Sequence, residues 1–275
     1  MRHPRLTSAA GNRAAGSRTP LVAVAHGSRD PRAAATVSEL LAMVRYRAVA
    51  WGLRGLSVRA AFLDHCAPSL PQALSAAGGD GRRACVVVPL LLTAAYHSKA
   101  DIPAKIAAVS ATLDVSCADT LGPHPLLLAA LERRLAESGV SVGDPAARSR
   151  TSVVLAAAGS SDPAANATIA SLAARWQAMR GWHAVLPAYA SAAAPRPDEA
   201  VRELMADGAP GPVVVATYLL APGYFADKIR AAGLGAGAVA VSPALGAAPE
   251  IADVVLERYL AAVRAELCAP QLARA

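Results

Sequence analysis

Aromatic residues are scarce in this chain of 275 residues: they form 4% of it, with 2 phenylalanines and 3 tryptophans. A nucleic-acid platform needs aromatics interleaved with a basic stripe, and neither is present. Cysteine is also rare. The 4 cysteines, at positions 66, 85, 117 and 268, show no CxxC spacing, which argues against a zinc site and against a disulfide framework. Reduced thiols in the cytoplasm are the expectation. Long apolar runs are missing too, although 54% of the residues are hydrophobic. Much of that surplus is alanine, and the run from Ala84 to Ala95 contains Pro89 and falls short of the roughly 18 residues of a spanning helix. No membrane association is expected. GxSxG, P-loop and GxGxxG patterns are absent, and GLGAG at 233–237 lacks the dinucleotide spacing.

The first twenty residues hold four arginines and no acid, so residues 1–20 are expected to form a disordered tail. A transit peptide is the lesser reading, because the stretch has poor amphipathic periodicity. Without the tail's arginines the formal charge falls from +7 to +3, a balance that leaves room for an acidic small molecule.

The chain repeats itself. LVAVAHGSRDP at 21–31 returns as VVLAAAGSSDP at 153–163, and AFLDHCAPSLPQAL at 61–74 as PAYASAAAPRPDEAV at 187–201. VVVPLLLTAAYHSKADI at 86–102 is answered by VVVATYLLAPGYFADKI at 213–229, and LGPHPLLLAALERRL at 121–135 by LGAAPEIADVVLERYL at 245–260. Four matches in the same order define two homologous halves, 21–145 and 151–267, joined near 141–150. Each half alternates short apolar runs with helical stretches. In the first half, strands are expected near 21–25, 57–63, 84–92 and 114–118, and helices near 30–51, 69–77, 101–109 and 125–138. Asp30 is placed to cap the first helix, with Pro31 at its first position, and Asp101 to cap the third. The order implies an α/β fold of two homologous doubly wound parallel-sheet lobes.

Two histidines, His26 and His97, follow apolar strands, and ligands bind beyond the carboxyl ends of strands in open parallel sheets. Singly, each reads as readily as a turn or core histidine, and Arg29 and Lys99 as solvated charges. Jointly they carry more. The second half has Ala158 opposite His26 and Tyr224 opposite His97, so the fold does not require the imidazoles. Two neutral imidazoles can bind a divalent metal while leaving coordination positions open, and can accept a proton near neutral pH. A Ser-His-Asp hydrolase using Ser28 or Ser98 is the rival, weakened by the missing nucleophile elbow.

LVAVAHGSRDP, AFLDHCAPSLPQAL, VVVPLLLTAAYHSKADIP and LGPHP, in this order and over residues 21 to about 260, resemble the sirohydrochlorin chelatases, the class II tetrapyrrole chelatases. The resemblance implies a chelatase-like fold with the active cleft between the lobes, and ATP-independent insertion of Fe²⁺ or Co²⁺ into sirohydrochlorin. It implies no cofactor beyond the substrate metal ion. By position, His26 and His97 match the family's paired metal-binding and proton-accepting histidines. The substrate's eight carboxylates make Arg29, Lys99 and Lys105 candidate contacts, with Ser28 and Tyr96 beside them. A carboxylate as third metal-site group is not assigned. The expected function is a siroheme ferrochelatase; a cobaltochelatase of cobalamin synthesis and a noncatalytic tetrapyrrole or metal carrier are the alternatives. Two fused halves make a monomer sufficient, with homodimerisation left open.

Overall fold

β1 (Leu21–Ala25) and β5 (Ser152–Ala157) open the two halves, and every residue in both strands is buried. Short runs of valine, leucine and alanine without polar alternation demand cover on both faces, and the fold supplies it. The computed structural model describes residues 18–79, 83–94, 100–109 and 112–268. The expected tail and Cys268's side chain lie outside what is described, apart from residues 18–20.

In the first half β1 is followed by α1 (Pro31–Ala50), β2 (Val58–Phe62), α2 (Leu70–Gly78), β3 (Ala84–Pro89), α3 (Ile102–Ala107), β4 (Asp114–Cys117) and α4 (Pro125–Glu137). A short α5 (Pro145–Arg148) bridges to β5, then α6 (Pro163–Arg180), β6 (Ala184–Tyr189), α7 (Pro197–Ala206), β7 (Val213–Tyr218), α8 (Tyr224–Gly235), β8 (Ala240–Val241) and α9 (Pro249–Cys268). All pairings are parallel, in the orders β2-β1-β3-β4 and β6-β5-β7-β8. The connections reverse direction at β1 and β5, which puts a topological switch point at the carboxyl end of each first strand.

The expected elements fall where the apolar runs put them, with two differences. β3 ends at Pro89, short of the expected 92, because Leu90 to Thr93 leave the sheet to line the cleft described below. Asp30 does cap α1, its side chain accepting from Arg32 N with Pro31 at the first position. Asp101 does not cap α3: its backbone is already helical and its carboxylate turns to Lys105 Nζ, 3.3 Å away.

Alternation along β1 sorts the layers. Leu21, Ala23 and Ala25 face a large inner core shared with Val153, Leu155 and Ala157 of the other lobe and with α1, α4, α6 and α9. Val22 and Val24 face an outer core with α2 and α3, and Val154 and Ala156 face the equivalent one with α7 and α8. The two sheets thus share one middle layer of helices.

The last helix of each half crosses to the other lobe. α9 packs on α1, α4, β3 and β4, whereas α4 packs on β7. Polar contacts fasten the exchange. Asp253 on α9 accepts from Arg47 Nε and Nη2 (2.8 and 2.6 Å) and from Trp51 Nε1 (3.0 Å), all on or next to α1. Arg258 donates to the carbonyls of Thr120 and Leu121, and Glu132 on α4 accepts from Trp176 Nε1 and Arg180 Nε on α6. His124 belongs to this seam: Nδ1 accepts from Leu126 N, and Nε2 meets Glu257 at 2.9 Å.

Candidate functional site

The strand-end turns that hold the site are built twice. Gly27 and Gly159 both adopt positive φ (93° and 84°), which a β-carbon would make costly. A β-carbon at either would also lie 1.8 Å from Asp64 O or 1.9 Å from Ser191 O, so the close approach of the two loops itself requires glycine. Asp64 N donates to His26 O and Ser191 N to Ala158 O, each at 2.9 Å. Ser28 and Ser160 then accept from the N–H of the following helix caps, Asp30 and Asp162. His26 and Ala158 therefore occupy equivalent positions.

The register of β1 with β3 and of β5 with β7 corrects one detail of the repeat. Leu21 pairs with Val86 and its counterpart Val153 with Val214, so the strands match at an offset of 128, one residue longer than the alignment of 86 with 213. Buried Ile102 and Ile229 restore the offset of 127 in the following helices, so Tyr224 remains opposite His97 when counted back from the helix.

His26 lies between two adjoining cavities of about 380 and 530 Å³, which fits the range of small-molecule sites. Both are lined by His26, Leu90, Ala158, Leu219, Leu220 and Phe225, which come from the carboxyl ends of β1, β3, β5 and β7 and from the start of α8. The first cavity continues past Ser28, Phe62 and Tyr224; the second past Thr93, Ser160, Asn166 and Tyr218. The cleft is thus interlobar, mainly apolar, with an imidazole at its centre. Tyr218, fully buried, ties its floor across the lobes by donating to Leu92 O at 3.3 Å, and burial raises its phenol well above the ordinary tyrosine range.

His26 is exposed to this space, and its Nδ1 stands 3.2 Å from Gly27 O. A carbonyl only accepts, so in the tautomer protonated at Nδ1 the ring donates to Gly27 O and Nε2 keeps its lone pair. Ser28 lines the first cavity, and its carbonyl accepts from Cys66 Sγ. Arg29 is exposed in the same turn. Lys105 is removed from the cleft, paired with Asp101 on the outer helix α3. His97, Tyr96 and Lys99, together with the rival nucleophile Ser98, lie outside the described residues. Among the described residues no group of three or more His, Cys, Asp and Glu side chains is placed to hold a metal ion.

Several residues of the cleft were not singled out by sequence. Arg32, in the first turn of α1, donates to both carboxylate oxygens of Asp30 and to Asp227 on α8, at 2.6 Å for the closest contact with each. The pairing with Arg32 lowers the Asp30 carboxyl below its ordinary range. This bridge spans the lobes beside Ala33 and Ala226, at the rim of the first cavity. Tyr224 and Phe225 stand next to it. Helical spacing gives no sign that these aromatics face a cleft; only the repeat, which sets Tyr224 against His97, points there.

A family model described as CbiX matches residues 20–138 and again residues 152–262. Among curated relatives, a sirohydrochlorin cobaltochelatase of Priestia megaterium is 28% identical over 210 residues, 75% of this chain and 66% of that protein. A sirohydrochlorin ferrochelatase of Bacillus subtilis is 30% identical over 172 residues, 62% of this chain and 63% of that protein. The matched segments thus span just under two thirds of these relatives' own lengths. A structure of SirB from Bacillus subtilis with Fe³⁺ superposes with a TM-score of 0.75 at 24% identity, covering 92% of this chain and 98% of that one. A CbiX structure, described as the terminal enzyme of siroheme biosynthesis in denitrifying bacteria, gives 0.60 at 22% identity over 88% and 99%. The shared fold is that of the chelatases. The double match to one family model restates the internal repeat.

Proposed function

The chain belongs to the CbiX family, and from that premise we propose that it is a sirohydrochlorin chelatase, inserting Fe²⁺ or Co²⁺ without ATP to serve siroheme synthesis. The observation that carries the reading is His26 at the centre of an apolar cleft between the lobes, at the switch point of the first sheet, where the equivalent residue of the second sheet is Ala158. One lobe brings a metal-binding group to the cleft and the other does not.

The reaction exchanges two pyrrole N–H protons of the macrocycle for a divalent ion. Nε2 of His26, with Nδ1–H held by Gly27 O, would bind the incoming ion through its lone pair and, once the ion has moved on, take up one displaced proton. His97 is assigned the second ligand and base by its match to the family pattern. The mainly apolar lining would exclude bulk water from the N–H face and seat the ring, while Arg29 beside His26 is offered to a peripheral carboxylate as a bidentate partner. Lys99, Ser28 and Tyr96 are retained as candidate contacts. Lys105 would have to leave Asp101 to join them.

Iron is the proposed physiological metal. Cobalt is the second reading, favoured by the cobaltochelatase relative, whose match covers more of this chain than the ferrochelatase match does. Imidazole ligands accept both ions, so affinity order does not choose between them. A cytoplasmic setting is part of the same proposal; among the described residues no helix is long and apolar enough to cross a membrane. The test is the visible spectrum of anaerobic sirohydrochlorin mixed with Fe²⁺ or Co²⁺, with the wild type, with H26A/H97A and without protein. Insertion faster than the protein-free rate and dependent on the histidines is expected. Tight binding of the macrocycle with insertion at the protein-free rate would instead establish a carrier.

A further inference from the structure

The second lobe has no histidine at either repeated position, yet it fills the rim of the cleft with the pair Tyr224 and Phe225. Phe225 is 38% exposed and Tyr224 73%, in a chain with only two phenylalanines. Large exposed apolar side chains at a cavity mark a binding surface more often than an accident of packing. Phe225 lines both cavities together with His26, and Tyr224 lines the first. The two rings sit 5.5 Å apart at 59° to each other, within the range of attractive aromatic pairs. At that tilt a single flat ligand can lie face-on to one ring and meets the other by its edge.

The cation nearest the start of α8 is paired within the protein. Arg32 is held by Asp30 and Asp227 at the same rim, so what the start of α8 offers a ligand is a neutral aromatic surface rather than a cation for carboxylates. Its Cα positions are fixed by the loop that enters α8 at Gly223, whose φ of 149° a β-carbon would disfavour.

We infer that the lobes divide the work: the first presents the metal-binding imidazole, and the second uses Phe225, buttressed by Tyr224, as the platform on which one face of the tetrapyrrole stacks. The inference rests on the chelatase reading for the identity of the flat ligand. It makes Phe225 a positioning residue for the ring, holding the macrocycle over His26, and Tyr224 its support.

The test is titration of metal-free sirohydrochlorin, followed by tetrapyrrole absorbance and fluorescence, with the full chain and the variants F225A, F225L, F225W and Y224A. One aromatic contact of this kind is worth about tenfold in affinity. F225A is expected to weaken the dissociation constant roughly tenfold, F225L nearly as much although it keeps apolar volume, and F225W to restore wild-type binding. Y224A should weaken it by a smaller factor, about threefold. Because both side chains are exposed, the melting temperatures should stay within a degree or two of the wild type. If the wild type binds sirohydrochlorin and F225A or F225L binds within twofold of it, the platform is overturned and the chelatase reading stands. If the wild type binds no sirohydrochlorin, it is the chelatase reading that is overturned.

Discussion

His26 and Ala158 stand at the same point of two copies of one structure: each ends a fully buried strand, accepts a 2.9 Å hydrogen bond from the loop after the neighbouring strand, and precedes a glycine at positive φ. The second lobe is thus a natural control in which the imidazole has been replaced by a methyl group and the turn is intact. His26→Ala is therefore expected to leave stability within about 0.5 kcal/mol of the wild type, since the side chain is exposed and the second lobe keeps the same turn with alanine. On the chelatase reading proposed above, the protein-dependent rate of metal insertion should fall at least about 100-fold, the usual contribution of a positioned proton acceptor. Urea unfolding and anaerobic insertion kinetics on the same preparation measure the two separately.

Gly27 has the opposite profile. A β-carbon there lies 1.8 Å from the Asp64 carbonyl oxygen at a backbone φ of 93°, and no flexible side chain can give way. Gly27→Ala should cost about 2 kcal/mol or more, since backbone strain and a backbone clash add. In urea unfolding the midpoint should drop with an unchanged slope. Gly159→Ala, facing Ser191 O at 1.9 Å, should behave alike although its lobe carries no histidine. Equal losses at both positions would assign these glycines to the turn rather than to chemistry.

Much of this was legible because the sequence repeats. The all-buried runs at 21–25 and 153–157 named the central strands, the Ser-x-Asp-Pro turns named the helix starts, and the contrast of His26 with Ala158 pointed to two positions that both line the cleft. What sequence could not reach depends on how layers stack. Nothing local in LERRL or LERYL tells a helix that it will cross to the other lobe, because the crossing is decided by which sheet lies beneath it. Nor does a lysine in sequence reveal its partner: Lys105, expected to meet a substrate carboxylate, pairs with Asp101 one turn back. Phe225 carries no local signal for exposure, and in the fold the buried position of this helix belongs to Ile229.

Tyr218 gives the fold a pH limit on the alkaline side. Burial raises its phenol above the ordinary value, so the neutral form is the one the fold favours. Above about pH 10, where an unfolded tyrosine loses its proton, the folded state holds more protons than the unfolded one. Stability then falls as pH rises, and it is undiminished below that value. Tyr218→Phe removes this titration at the cost of the hydrogen bond to Leu92 O, about 1 kcal/mol at neutral pH. Thermal melts from pH 8 to 11 should show the wild type's decline becoming shallower in the variant. An equally steep decline in both would move the alkaline sensitivity elsewhere, with Tyr189, also raised by burial, next to examine.

The exchanged helices make a sharper demand. In the intact chain α9 covers α1 and β3 of the first lobe, and α4 covers β7 of the second. Both helices follow the same Leu-Gly turn, anchored by Leu121 N to Leu91 O and by Leu245 N to Leu219 O. A fragment ending after α5, residues 18–148, would lack α9 and expose the inner faces of Leu40, Val44 and Val88. Its own α4 is the repeat equivalent of the missing helix and cannot fold back without abandoning its turn. Two copies can satisfy each other, each laying α4 across the other's β3 as α4 lies across β7 here, in an isologous pair. The fragment is expected to be a dimer by light scattering after gel filtration, with a melting temperature that rises with concentration. A stable fragment monomer would show that α9 is an accessory to the first lobe rather than part of its core.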